Sequence, residues 1–546
     1  AIMKRISILA TVIAISMSAS AQSTTWEAVY NVIQTNCSGC HVAGHESGLD
    51  LSTDATTVYS SLVDIAPTNV TSAGKGYKRV FAGDPYRSFL FSKINNSLAL
   101  DVNLGAGEGT ACPQGAAPLN NKDIELIRQW ILYGAQESDT LVDIDLVNAF
   151  YDLDGEQSMP SPPAPPAAGT GFQIHFGPFF LWPDTENEYF TKYPVNIPTD
   201  VEINRVDTYM GPYSHHFITY KFVEPGVEAS IEPGLHEGPD FFGVDLVTAH
   251  QYADSIILPP GTAFHWDYGT VLDLNSHYIN YSSDKPLACE AYINVYTQPV
   301  GTAIQTMYSV LLSNQSFNIP PTGDPYSDEA TAFENGHGED ELFIWGISTH
   351  THKLGTDFDI YKRNDDHSRG EHIFDASCGA TEGIPGCLDE IYDYQHPPIR
   401  YWESMLPIKW KNGIIYEATW VNNGPDYIDF GPLSTDEMMV IFYFYVDDTT
   451  GLNLPVAIPE ITPQLTGIQL YPNPAHDNIF IQAETDLSKA MISICDLTGK
   501  TIQYSEPISM GQDFYQVKLA DVAKGIYLLQ VITPDGAMFS QKIMKE

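Results

Sequence analysis

At 546 residues the chain is too long for one hydrophobic core, so three or four domains are expected. Its 69 acidic against 26 basic residues give a formal charge of −43, which argues against nucleic acid or anionic membrane as a partner. Only 17% of residues are charged, while Gly, Pro, Tyr and Phe number 41, 37, 31 and 25, a mix suited to strands and turns rather than helical bundles.

At the N-terminus Lys4 and Arg5 precede the apolar run 6–15, and Ala19-Ser20-Ala21 offers a small-residue cleavage site, so 1–21 reads as a signal peptide. The run is too short to span a bilayer, and no later one is long enough. Export sets the context for seven cysteines, Cys37, Cys40, Cys112, Cys289, Cys378, Cys387 and Cys495, whose odd number cannot all pair within the chain.

Residues 22–153 form the first predicted domain. Its clearest helix is 122–133, where Ile124, Ile127 and Ile131 recur with Leu126 and Trp130 at helical spacing. Cys37-Ser38-Gly39-Cys40-His41 has the spacing for covalent haem c. Two thiols one turn apart can add to the two vinyl groups of one haem, and the adjacent imidazole then reaches the iron. A zinc ribbon needs a second close cysteine pair, which the sequence lacks, and a bare redox disulfide leaves His41 unexplained. Together with Gly48-Leu49-Asp50-Leu51, Gly83-Asp84-Pro85-Tyr86-Arg87-Ser88 and a closing helix at 124–135, the motif resembles small class I cytochrome c domains over most of 27–137. Where that family has Met-Pro, this sequence has Cys112-Pro113, and no methionine lies between Met17 and Met159. The sixth iron position is open between His45, Cys112 and no ligand; a thiolate would lower the potential relative to methionine. Residues 154–171, with Pro-rich 158–169, read as a stiff extended linker that raises the effective concentration of the tethered haem domain.

From 172 to 456 short strands alternate with Pro, Gly and Asn, as at 216–222, 291–296 and 440–445. Two β-sandwich domains are expected, 172–300 and 301–456. Four groups within them offer metal ligands: Ser214-His215-His216, Asn275-Ser276-His277-Tyr278, His350-Thr351-His352 and Asp436-Glu437-Met438. Residues two apart in a strand share a face, so His350 and His352 can present two imidazoles to one metal, and a Met438 thioether would bias that site to Cu(I). Adjacent His215 and His216 share a face only at a strand end or bulge; His277 would complete an all-nitrogen site.

The order of these groups, with Leu258-Pro259-Pro260-Gly261 and with Lys353-Leu354-Gly355 after His352, resembles the copper type II, ascorbate-dependent monooxygenases over about 172–450. That family includes the peptidylglycine and dopamine hydroxylating enzymes. The resemblance implies two jelly-roll domains with one copper each, facing across a wet cleft. Carried over by position, His215, His216 and His277 would hold an electron-relay copper; His350, His352 and Met438 would hold the catalytic copper that activates O2. The implied reaction hydroxylates a C–H bond of a small organic substrate, with electrons from an ascorbate-like reductant or a redox protein. The peptide enzyme's carboxylate-anchoring arginine is replaced by Ser348 and a tyrosine by Phe442, which argues against a peptide substrate. The disulfide pattern also differs: Cys378 and Cys387 are expected to pair across a Gly- and Pro-bearing loop, leaving Cys289 without a mate.

Residues 457–546 hold a second linker and alternating strands at 479–481 and 526–531, a small immunoglobulin-like β-sandwich. Tyr471-Pro472-Asn473-Pro474, Asp496-Leu497-Thr498-Gly499-Lys500, Gly525-Ile526-Tyr527 and Lys542-Ile543-Met544-Lys545 resemble type IX secretion sorting domains. The resemblance implies handling by that secretion machinery and a secreted or cell-surface protein, with Cys495 outside the redox chemistry. The expectation is thus a multidomain, mainly β protein: a small α-helical cytochrome c domain, two jelly-roll sandwiches and an immunoglobulin-like tail. With haem c and two copper ions it would be an exported monooxygenase. A surface electron-transfer or copper-binding protein without hydroxylation, and an adhesin on the same scaffold, are the competing classes.

Overall fold

Side-chain caps set the helix boundaries at the start of the chain. Thr24 accepts the Glu27 backbone N–H while the Glu27 carboxylate accepts that of Thr24, opening α1 (Thr25–Asn36) with a reciprocal capping box. Asp54, Asn69 and Asn120 cap α2 (Ala55–Leu62), α3 (Val70–Gly74) and, beyond α4 (Phe89–Ile94), α5 (Asn121–Leu132). Asp143 caps α6 (Ile144–Asp152), the last α-helix among the described residues. In this computed structural model the described residues are 24–454, except 160, 224–225, 239–242, 251–252, 333–340, 378–391, 395–396 and 432–434, and 468–545, except 484, 496–500, 506, 512–513, 520–521 and 534–537. The expected signal peptide, and Cys378 and Cys387 with their expected disulfide, lie outside them.

The predicted 122–133 helix is α5, and its whole circumference is covered from Ile124 to Leu132, polar residues included. Arg128 grips Glu125 with two hydrogen bonds of 2.9 and 2.5 Å, Tyr151 donates to the same carboxylate at 3.0 Å, and Gln129 donates to it and to the Pro178 carbonyl. Buried charge is tolerated because every partner is supplied.

Elsewhere the protein is mainly β, with 44% strand against 13% helix. Two sheets follow the helices and enclose one apolar core. One carries Gly171–Leu181, Val201–Met210 and Leu287–Pro299; the other orders Glu186–Pro194, Val271–Ile279, Ser214–Phe222 and Val244–His250. A second pair of sheets follows from Tyr308. Tyr308–Ser313, Val440–Val446, Glu341–His350 and Ile399–Lys409 form one; Pro325–Ala332, Ile414–Val421, Gly355–Arg363 and Arg369–Asp375 form the other. Alternation along Val440–Val446 divides its side chains: Ile441, Tyr443 and Tyr445 enter the second core, while Phe442, Phe444 and Val446 join the first. The two pairs of sheets are therefore fused by a shared apolar layer, to which Trp345 and Met405 also belong.

Residues 154–171 do not hang free between domains. Glu156–Gln157 pairs in parallel with Leu287–Ala288, and Asn294 and Gln173 donate to the Ala164 and Pro163 carbonyls. The proline-rich stretch is laid along a sheet, because its carbonyls accept from neighbouring side chains even where prolines donate nothing. The helical region is packed on the same sheets: Phe180 and Ala288 enter its core, and Leu132 enters the core of the sheets. At Gly134 and Gly234 the two backbones nearly touch; a Cβ on Gly134 would sit 2.2 Å from the Pro233 carbonyl oxygen, and its φ of +96° also favours glycine. Docking, rather than tethering, fixes the helical region.

The unit Pro455–Glu546 is a two-sheet structure in its own right. Ile468–Tyr471, Asn478–Ala483, Phe514–Lys518 and Ile508–Gly511 form one sheet; Thr501–Ser505, Met491–Cys495, Gly525–Ile532 and Met538–Lys545 form the other. Their core includes Ile479, Ile481, Ile492, Ile494 and Val517.

Candidate metal centre

The strand Ser214–Phe222 opens with an irregularity: Ser214 pairs with Tyr278 and His216 with His277, and the register shifts between them. That irregularity turns His215 and His216 to one side, as a bulge must if neighbours are to share a face. Donor nitrogens of His215, His216 and His277 lie within 4.8 Å of one another, and the ring centroids are 4.9–5.5 Å apart. The neighbouring strand adds carboxylates. Glu188, directly across from His277, accepts from His216 Nε2 at 3.0 Å and from Asn275 Nδ2 at 2.9 Å, and Glu186 Oε2 is 3.4 Å from His277 Nε2. Since a carboxylate only accepts, His216 carries its proton on Nε2, which leaves Nδ1 to a metal. Burial alone would raise the Glu188 carboxyl, yet the hydrogen bond from His216 and its charge, with that of His277, hold it down to about 2. Burial and then the neighbouring His216 push His277 down to about 3, so this imidazole is neutral and its lone pair free at neutral pH.

The second group is built at a strand end. His350 is the last residue of Glu341–His350 and His352 lies two further, with ring centroids 5.2 Å apart; Thr351 between them turns inward onto the Tyr392 hydroxyl at 3.0 Å. His352 Nδ1 donates to the Asp436 carbonyl at 3.0 Å, so Nε2 is the nitrogen left for a metal. Glu437, fully buried, accepts the backbone N–H groups of His352 (2.8 Å) and Leu354 (2.7 Å) and Trp420 Nε1 (3.0 Å). Burial pushes its carboxyl up to about 7 in spite of these donors. This one side chain ties the His350–Leu354 turn to the segment carrying Met438. His350 pairs with Val440, and continuing that register sets Met438 opposite His352. Met439 points into the second core and is met by Asn314 Nδ2, so Met438 faces the other way, toward the first pair of sheets; it is buried but belongs to none of the apolar cores among the described residues.

The two groups lie within electrostatic reach of each other. His350 is pushed well down by burial, then by His352, His216 and His215, and the charge of His352 also bears on His277. Ser348 and Phe442 are direct cross-strand partners. Ser348 is spent on the Pro398 carbonyl at 2.8 Å and Phe442 is packed into the first core, so neither offers a cation to a carboxylate.

In the helical region Cys37 caps α1, and its carbonyl accepts the backbone N–H groups of Cys40 and His41. This tight turn presents all three side chains. Cys37, Cys40, Cys112 and Cys289 are free thiols. Burial, then Cys112 and Cys40, push the Cys37 thiol up to about 11, so Cys112 stands beside the pair. The His45 ring is 4.5 Å from that of His41 and is bound to Ser47 Oγ at 2.7 Å, with Ser47 Oγ 3.3 Å from His41 Nδ1. Sequence reasoning missed Glu188 and two further clusters, Asp200 with His265 and Asp267, and Asp359 with His372 and Asp375, each with donor atoms within 4.8 Å of one another. Asp359 and Asp375 are cross-strand partners, and His372 lies three positions before Asp375.

Residues 469–546 match the secretion system C-terminal sorting domain family. The protein is accordingly secreted or held at the cell surface by type IX secretion, and no described helix is long and apolar enough to cross a membrane. No curated protein matches the chain. Among solved structures, CopC from Methylosinus trichosporium is similar at 17% identity over 14% of this chain and 90% of that one, with a TM-score of 0.12. A β-1,2-glucanase from Parabacteroides distasonis is similar at 13% identity over 46% of this chain and 34% of that one, with a TM-score of 0.14. Scores this low carry no argument about fold or function. What the comparisons establish is the C-terminal sorting domain and, with it, the export route.

Proposed function

We propose that this exported protein is a copper-dependent monooxygenase-like oxidoreductase with two jelly-roll copper domains and its own c-type haem. The observation that carries the reading is the pair of ligand groups, His215, His216 and His277 within 4.8 Å and His350 with His352, whose strand register sets Met438 opposite His352. The donor chemistry fits copper: three imidazole nitrogens suit either oxidation state, while two imidazoles and a thioether suit Cu(I). Cys37, Cys40 and His41 fit covalent haem, since both thiols are free and the His41 ring is steadied by Ser47. Copper, when bound, supplies one-electron chemistry at each group.

The chain's own residues do the rest. Asp436 and Glu437 aim His352 and brace the turn on which His350 stands. Glu188 and Asn275 fix the tautomer of His216. Neither Ser348 nor Phe442 offers a cation, so the substrate is a small organic molecule held without a carboxylate anchor. Hydroxylation of a C–H bond consumes one O2, two electrons and two protons and yields one water; the electrons come from an ascorbate-like reductant or a redox protein, with the haem as the built-in relay.

The test is oxygen-18 labelling. Copper-loaded protein with ascorbate and a panel of small organic compounds should transfer one labelled atom from 18O2 into product, and His350→Ala should abolish it. Consumption of O2 without labelled product would leave a surface electron-transfer or copper-binding protein instead.

A further inference from the structure

Where the helical region meets the first pair of sheets, His175 is stacked between two tyrosines. Tyr86, from the helical region, lies 3.9 Å away centroid to centroid, and Tyr292, from the sheet, 4.0 Å away on the other side. The His175 nitrogens are held by carboxylates of the two parts, Nδ1 by Asp101 and Nε2 by Glu290, each at 2.8 Å, and Tyr86 donates to the Gly177 carbonyl at 2.7 Å.

The contact leads somewhere on both sides. Toward the haem motif, Tyr86 meets Phe91 of α4 edge-on at 6.1 Å; two residues along, the Lys93 carbonyl accepts the Cys112 N–H at 2.8 Å, beside Cys37 and Cys40. Toward the histidine group, the Glu290 carbonyl accepts the Tyr278 hydroxyl at 2.6 Å, and Tyr278 is bonded directly to His277. One stack, two hydrogen bonds and otherwise covalent chain thus join the haem-side helix to a candidate copper ligand.

We infer that Tyr86, His175, Glu290 and Tyr278 form the route by which an electron passes from the helical domain to His277, an inference that rests on the haem and copper reading above. One electron moves: iron goes from Fe(II) to Fe(III) and copper from Cu(II) to Cu(I), while every hydrogen along the route stays with its partner. A second aromatic crossing also reaches the histidine group, Tyr133 against Tyr189 at 5.7 Å with Glu188 next in the chain, but not every interface contact leads onward. Phe150 and Phe180 stack at 4.6 Å, but Phe180 is packed into the apolar core of the helical region.

The experiment uses full-length haem protein loaded with Cu(II), under anaerobic conditions. A photosensitiser reduces the haem in a flash, and decay of the reduced-haem absorption band at several protein concentrations gives the intramolecular rate. His175→Leu should slow that decay by an order of magnitude or more and Tyr278→Phe several-fold, with haem content, copper content and both reduction potentials unchanged. Phe180→Leu, equally buried at the same interface, should leave the rate alone. A parental rate in Tyr278→Phe, or equal slowing in Phe180→Leu, overturns the route while leaving the haem and copper reading intact. No concentration-independent decay in the parent, with both metals present, overturns the route and the relay role of the haem together, while copper chemistry with an external reductant stays with the oxygen-18 test.

Discussion

The two histidine groups spend their carboxylates differently, and the contrast separates their chemistry. Around His215, His216 and His277, Glu188 and Glu186 reach toward the imidazoles themselves, so negative charge lies next to the position a metal would take. Around His350 and His352, the carboxylate of Glu437 is turned away onto backbone N–H groups and Trp420, and the side chain added to the face is the uncharged thioether of Met438. Negative charge stabilises the higher oxidation state, and soft neutral sulfur the lower. On the proposed reading, the first group suits Cu(II) and the second Cu(I).

The largest test of that contrast removes one group. His350→Ala should cut bound copper from about two equivalents to about one, the survivor keeping an all-nitrogen Cu(II) EPR signal, because each group binds by its own donors. Loss of both equivalents would mean a single shared site. Next come the carboxylates. Glu437→Gln should weaken copper binding at the second group by about 10–100-fold and Glu188→Gln at the first by a similar factor, as outer-shell substitutions do. Titration of each variant in the background lacking the other group checks this, and crossed effects would erase the distinction. Met438→Leu should weaken Cu(I) at the second group in chelator competition while leaving its Cu(II) affinity close to that of the parent, since only the soft ligand is lost.

The smallest expected effect is in the pH dependence of the metal-free fold, where the two carboxylates have opposite signs. Glu188 is held below its ordinary value of 4.5, so its contribution is present above 4.5 and lost as pH falls toward about 2. Glu437 is raised from 4.5 to about 7, so the fold is favoured below 4.5 and that advantage is lost as pH rises through about 7. Denaturant melts from pH 3 to 8 should therefore show Glu188→Gln flattening the acid limb and Glu437→Gln the neutral one. The same slope in both variants would refute the assignment.

Much of this was legible locally. Cys37 to His41 is a compact motif on a helix end, and β-branched and aromatic runs set off by Pro, Gly and Asn mark 440–445 and 216–222 as strands. The bulge demanded by adjacent His215 and His216 could be stated from the sequence and is present as the register shift beside them. Glu188 was not legible: it is one of 69 acidic residues and lies 28 positions before His216. Nor was the fate of residues 154–171, where proline content suggested a free spacer and side-chain donors from the sheet bound its carbonyls instead.

The sequence by itself determined which donors exist and which neighbours share a strand face, since those depend on residue type and backbone period alone. Only the tertiary structure decided which donors meet. Cross-strand register put Glu188 against His277, Glu437 fastened two distant segments at His352, and the packing of the helical region closed His175 between Tyr86 and Tyr292. Such meetings depend on sheet pairing and burial between residues tens of positions apart, which no local pattern encodes.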